Sequence, residues 1–132
     1  LREETFVTQK IIKSAQKIFE RKQSCLKIGN IDIVRDWGWA PEYVEAMQLI
    51  AESDKLKDHI ICTGKAVSLK TFIQKVFAKY DLDWKNFVQV DEKYLRKNEI
   101  MRSCGDPSQL DKDLNWSAKV DIDKMIEKLI TK

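Results

Sequence analysis

A single histidine, two prolines, four glycines and three cysteines leave this 132-residue chain poor in the residues that most often turn loops or carry chemistry. Each scarcity excludes something. With His59 alone, no Ser-His-Asp relay is worth proposing, and because it opens an apolar run its expected place is buried or at a strand edge. Gly29, Gly38, Gly64 and Gly105 are too scattered to form a Gly-x-Gly-x-x-Gly or Gly-x-x-Gly-x-x-Gly turn, so no dinucleotide-binding Rossmann core is encoded. No Tyr-x-x-x-Lys occurs either. Cys25, Cys62 and Cys104 are odd in number and far apart, with no Cys-x-x-Cys pair. That argues against structural disulfides and a cysteine zinc site, and fits a reducing, cytoplasmic compartment. No apolar window approaches the roughly 18 residues of a membrane span. Neither sign of charge dominates: 24 basic and 21 acidic residues mix along the chain for a net +3, without the Lys/Arg clustering that nucleic acid demands. The opening Leu1-Arg2-Glu3-Glu4 has no initiator Met and no signal profile, so the chain reads as a piece of something longer.

What is present suits one soluble, mixed domain over residues 1–132, with 43% apolar and 34% charged residues. Phe6, Val7, Ile11, Ile12, Ala15, Ile18 and Phe19 recur at helical spacing, predicting a helix from Thr5, as N-cap, to Lys22. Cys25–Ile28 stops at Gly29-Asn30, and Ile31–Val34 could pair with it as a small hairpin. Pro41 opens a helix to about Glu52 with Tyr43, Val44, Met47 and Ile50 along one face. His59–Cys62 reads as a short buried strand ended by Thr63-Gly64. Ser68 caps a helix to about Tyr80, with Leu69, Phe72, Ile73, Val76 and Phe77 inward. Phe87–Val90 is another brief strand, Asp106-Pro107 starts a short helix, and Leu114-Asn115-Trp116 packs as a loop. Asp121 caps the last helix, which carries Met125, Ile126, Leu129 and Ile130. The expected class is therefore mixed α/β, helix-rich, with strands too short to make a large sheet.

Three stretches, taken together and in order, carry a resemblance. They are Glu4-Thr5-Phe6-Val7-Thr8-Gln9-Lys10-Ile11; then Ile28-Gly29-Asn30 with Arg35-Asp36-Trp37-Gly38 and Tyr43-Val44-Glu45-Ala46-Met47; then Tyr94-Leu95-Arg96-Lys97-Asn98-Glu99 with Gly105-Asp106-Pro107 and Leu114-Asn115-Trp116. From about Arg2 to Lys128 the chain resembles the C-terminal half of GDP-mannose 4,6-dehydratases, members of the extended short-chain dehydrogenase/reductase superfamily. The resemblance implies a two-part, homo-oligomeric enzyme. Its N-terminal Rossmann domain, which this chain lacks, holds NADP and the catalytic residues, and its smaller C-terminal domain grips the nucleoside diphosphate of GDP-mannose. It also implies the reaction: oxidation at C4, loss of water across C5–C6 and return of the hydride to C6, giving GDP-4-keto-6-deoxymannose. No catalytic residue and no metal ligand is then expected here, nor activity from this chain alone, and the partner is a nucleotide sugar rather than nucleic acid or membrane.

The same resemblance assigns roles. Arg35 would meet the substrate phosphates, for which a guanidinium offers paired parallel donors. Arg96 would meet phosphate, and Glu99 would accept hydrogen bonds from ribose hydroxyls, to which a carboxylate presents two acceptor oxygens. Lys10 would lie near the nucleotide, Val7 would wall the pocket, and Gly29 would allow either a close backbone approach or a positive φ. Arg2 falls where an arginine contacts the NADP phosphate. Beside each stands a plainer reading: Arg35 paired with Asp36 or a helix end, Lys10 solvated, and residues 94–99 a charged surface loop. The chain departs from the family pattern at Glu3, at Trp39 in place of histidine, and at Lys97 in place of proline. A sister nucleotide-sugar epimerase or reductase, and a non-catalytic interaction module, are the competing assignments.

Overall fold

The computed structural model describes residues 6–54 and 57–131. Their elements run α1 (Val7–Phe19), β1 (Leu26–Ile28), β2 (Val34–Asp36), α2 (Ala40–Glu52), β3 (Ala66–Ser68), α3 (Leu69–Ala78), β4 (Val88–Val90), β5 (Arg102–Ser103), α4 (Ser108–Leu114) and α5 (Ile122–Ile130). The helix-rich α/β class expected from the sequence is the class observed. Ile11, Ile12, Ala15 and Ile18 form the buried stripe of α1. Together with Phe72, Ile73, Val76 and Phe77 of α3, Met125 and Ile126 of α5, and Leu26 and Ile28 of β1, they make the main core. Burying a side chain as large as Phe72 or Phe77 is worth roughly 1.5–3 kcal/mol.

Two helix starts form as expected. Ser68 Oγ accepts from Thr71 N at 3.1 Å and Asp121 Oδ1 accepts from Lys124 N at 2.9 Å, each cap worth about 1 kcal/mol. The first helix is shorter than expected. It begins at Val7 with Phe6 as N-cap and no side-chain cap, and it closes at Phe19 before the chain turns through Arg21 at φ 57°. Thr5, like Arg2, lies outside the described residues.

The expected hairpin does not form. β1 instead pairs in parallel with β4, Leu26 opposite Val88. β2 starts at Val34 and lies between β3, antiparallel, and β5, parallel. The connector has other uses for its polar groups: Asn30 Oδ1 accepts from Asp32 N at 2.9 Å. The carbonyls of Ile31 and Ile33 accept from Lys70 N and Leu69 N, both at 2.8 Å. These are first-turn amides of α3 with no partner inside their own helix, so the helix start captures the segment that would have paired with β1.

Two further expectations are corrected. His59–Cys62 is not a strand; the strand lies downstream at β3. The His59 imidazole is fully buried, as one of its expected placements had it, with Nε2 3.1 Å from Asp113 Oδ2. On α2 the inward face is Tyr43, Ala46 and Ile50, packed with Leu110 and Trp116 in a second, smaller core. Val44 and Met47 point outward, 61% and 56% exposed. Small Ala46 lets the helix approach Trp116 closely, and this sets a rotation that a count of large apolar residues does not reveal.

Candidate functional site

β2 puts Arg35 in the middle of its sheet, opposite Val67 on one side and Ser103 on the other. Its guanidinium is held at both ends: Nη1 donates to the Val34 carbonyl and Nη2 to Glu99 Oε1, each at 2.9 Å. The ion pair is largely sheltered, with side chains 25% and 17% exposed. Asp36, next along the strand, also lines the cleft, and its carboxylate braces a loop. It accepts from Thr63 N at 3.1 Å, Thr63 Oγ1 at 2.6 Å and Gly64 N at 2.9 Å, and Gly64 at φ 73° makes that turn. Trp37 is core, tilted against Phe72 with centroids 5.4 Å apart, its Nε1 donating to the Val67 carbonyl at 3.2 Å.

Two glycines let neighbouring segments close in. A Cβ on Gly29 would collide with the Tyr94 carbonyl, so a side chain there would push the 94–99 segment off the end of β1. The close approach foreseen for Gly29 is therefore to the chain's own backbone, with no positive φ. A Cβ on Gly38 would collide with the Tyr43 phenol. Burial foremost, then the negative charges of Asp36, Cys62 and Glu42, push that phenol up to about 12. It stays neutral at physiological pH and can donate a hydrogen bond but not act as a base.

These elements enclose a cleft of about 740 Å³, within the ~300–1,000 Å³ range of small-molecule sites. Val7, Gly29, Arg35, Arg96 and Glu99 all line it. Arg96 makes no hydrogen bond or ion pair among the described residues, so its charge is available to a ligand. The first turn of α1, with no side chain capping it, forms another wall through Phe6, Val7, Thr8 and Gln9. The positive end of a helix dipole favours an anion nearby.

Lys10 is not among the lining residues; its Nζ stands 4.1 Å from the centroid of the Tyr94 ring, which is. Arg2 lies outside the described residues. The Arg35–Glu99 pairing was not expected. Nor were Asn30 and Tyr94 as lining residues, or Met125 and Leu129, which α5 contributes to the cleft wall. Tyr94 stood inside a motif already singled out. Met125 and Leu129 share a helical face that reads as core, and no spacing rule separates the two uses.

A profile of the family described as GDP-mannose 4,6 dehydratase matches residues 1–129. The chain belongs to the GDP-mannose 4,6-dehydratase family. It is 36% identical over 129 residues to GDP-mannose 4,6 dehydratase 1 of Arabidopsis thaliana, covering 98% of this chain and 36% of that protein. It is 34% identical to the Homo sapiens GDP-mannose 4,6 dehydratase, covering 95% of this chain and 38% of that one. The chain thus spans little more than a third of these dehydratases. Among solved structures it resembles RMD from Pseudomonas aeruginosa complexed with NADPH, at TM-score 0.87 and 16% identity over 98% of this chain and 43% of that one. It also resembles dTDP-glucose 4,6-dehydratase from Bacillus anthracis in complex with NAD, at TM-score 0.85 and 10% identity over 98% and 39%. At these identities the solved structures show a shared fold, and the dehydratase family is fixed by sequence.

Proposed function

We propose that these 132 residues are the substrate-binding portion of a GDP-mannose 4,6-dehydratase, an NADP-dependent cytoplasmic hydro-lyase that works as a homo-oligomer. What carries this reading is that Arg35 and the Arg96–Glu99 segment, some sixty residues apart in the chain, line one cleft at positions where the family resemblance expects the phosphates and ribose of GDP-mannose. Arg35 and Arg96 receive the diphosphate, Glu99 receives the ribose hydroxyls, and Val7 and Gly29 form the wall that closes around the nucleotide. Lys10 acts from behind Tyr94, through the ring it covers.

The sequence carries no Gly-x-Gly-x-x-Gly turn, which supports placing the dinucleotide pyrophosphate elsewhere in the enzyme. NADP and the groups that oxidise C4, eliminate water across C5–C6 and return the hydride to C6 belong to the part of the enzyme that this chain does not span. This chain binds and orients, and by itself forms no keto sugar when supplied with GDP-mannose and NADP.

Calorimetric titration with GDP, dTDP and UDP tests the reading, with Arg35→Ala alongside. GDP is expected to bind best, and removing Arg35 to weaken it by one to two orders of magnitude, the worth of a charge-assisted hydrogen bond. Preference for UDP or dTDP would move the assignment to a sister nucleotide-sugar enzyme. No nucleotide binding by a chain shown to be folded by circular dichroism would contradict it.

A further inference from the structure

The Arg35–Glu99 ion pair poses a problem that the proposed roles leave open. A carboxylate beside a phosphate-binding guanidinium repels the anion that the guanidinium is there to attract. Yet Glu99 is directed at Arg35, at 2.9 Å and largely sheltered from water. Its partner is also fixed on the other side, by the Val34 carbonyl at 2.9 Å. Two anchors on the two terminal nitrogens define the plane of the guanidinium. They use two of its five N–H groups, and among the described residues the Arg35 side chain makes no other hydrogen bond. The remaining donors stay open to the cleft that Arg35 lines. Glu99 likewise uses only Oε1, so Oε2 stays available as an acceptor.

We infer that Glu99 is a positioning residue for Arg35: it holds the guanidinium ready for the diphosphate before any nucleotide arrives, in addition to receiving ribose through its second oxygen. This deepens the reading above and rests on Arg35 meeting phosphate. An arginine without such an anchor must surrender its rotamer freedom when the ligand binds, and that ordering cost is what the pair prepays. The pair is thus one recognition unit for a phosphate followed by a hydroxyl-bearing sugar.

Inorganic pyrophosphate separates the roles, because it has the phosphates and no ribose. Positioning and repulsion predict opposite signs. In calorimetry on the 132-residue chain, Glu99→Ala is expected to bind pyrophosphate roughly three- to tenfold more weakly than the wild type, the scale of immobilising one flexible side chain. Glu99→Gln, which keeps an acceptor for Arg35 Nη2 and loses the charge, should bind it as well as the wild type or better. Equal or tighter pyrophosphate binding by Glu99→Ala would overturn the positioning role and leave the nucleotide site standing. Wild-type chain that binds neither pyrophosphate nor GDP would overturn both. A second measurement needs no variant: in the ligand-free chain, hindered rotation should separate the Arg35 Nη–H signals in a nitrogen-resolved NMR spectrum. A single averaged signal would overturn the inference.

Discussion

Replacing Gly38 by alanine sets a methyl group against the Tyr43 phenol, the contact on which the α2 side of the cleft depends. A Cβ at Gly38 falls inside van der Waals contact with Tyr43 Oη and Cζ. The ring cannot yield freely, because it stands edge-on to Trp116, with centroids 6.3 Å apart and planes at 72°, within the core around Ala46 and Leu110. Forcing an extra methyl into such packing costs about 1–3 kcal/mol, and losing the aromatic pair adds about 0.5–1.5 kcal/mol. Gly38 has no positive φ, so no backbone strain enters. The expected destabilisation is about 2–4 kcal/mol, a large part of what an ordinary domain possesses. Urea unfolding followed by tryptophan fluorescence measures it. With Tyr43→Ala as background the methyl finds room, and the same glycine change should cost under about 0.5 kcal/mol. A Gly38→Ala chain as stable as the wild type, or an equal cost in both backgrounds, would refute the packing argument.

Asp36→Ala removes an acceptor from three donors in the Thr63–Gly64 turn. It should destabilise by about 1.5–3 kcal/mol, whereas Thr63→Val, which keeps the backbone bonds, should cost less; equal costs would count against Asp36 as the brace. The Tyr43 phenol, held neutral to about pH 12 where an ordinary tyrosine ionises near 10, makes the folded chain the more protonated state between those values. Stability should therefore fall as pH rises through that window. A late tyrosinate absorbance step that vanishes in Tyr43→Phe checks the assignment, and its persistence would refute it. Val44 and Met47 on the outer face of α2 leave apolar surface in water, so the chain should self-associate in sedimentation as concentration rises. Val44→Lys with Met47→Lys should suppress this while changing stability by less than about 0.5 kcal/mol; a wild-type chain that stays monomeric at all concentrations would refute it.

Much of the fold was legible where a helix carried both a period and a cap. Ser68 and Asp121 mark their helices because side-chain oxygen and orphan amide meet within three residues, a local event. The strands were legible as segments but not as partners. Leu26 finds Val88, and Arg35 finds Ser103, across more than sixty residues, and three-residue strands have too little alternation to specify register. The misjudged face of α2 shows the same limit: Ala46 decides the packing by being small, and size counts favour Val44 and Met47. In the site, Val7, Gly29, Arg35, Arg96 and Glu99 were named from the family resemblance and all line one cleft. The Arg35–Glu99 bond, formed across 64 positions, could not be read, because any of the chain's acidic residues could have faced that arginine.

The central claim is that the cleft bounded by the start of α1, the Gly29 turn, Arg35 and the 94–99 segment is where a guanosine diphosphate binds. Titrating GDP into isotope-labelled chain while following backbone amide shifts tests it most directly. The account predicts the largest changes at Val7, Gly29, Arg35, Tyr94, Arg96 and Glu99, with less movement at the Thr63–Lys65 turn, which does not line the cleft. Shifts centred elsewhere, or none at saturating GDP in a folded chain, would contradict it.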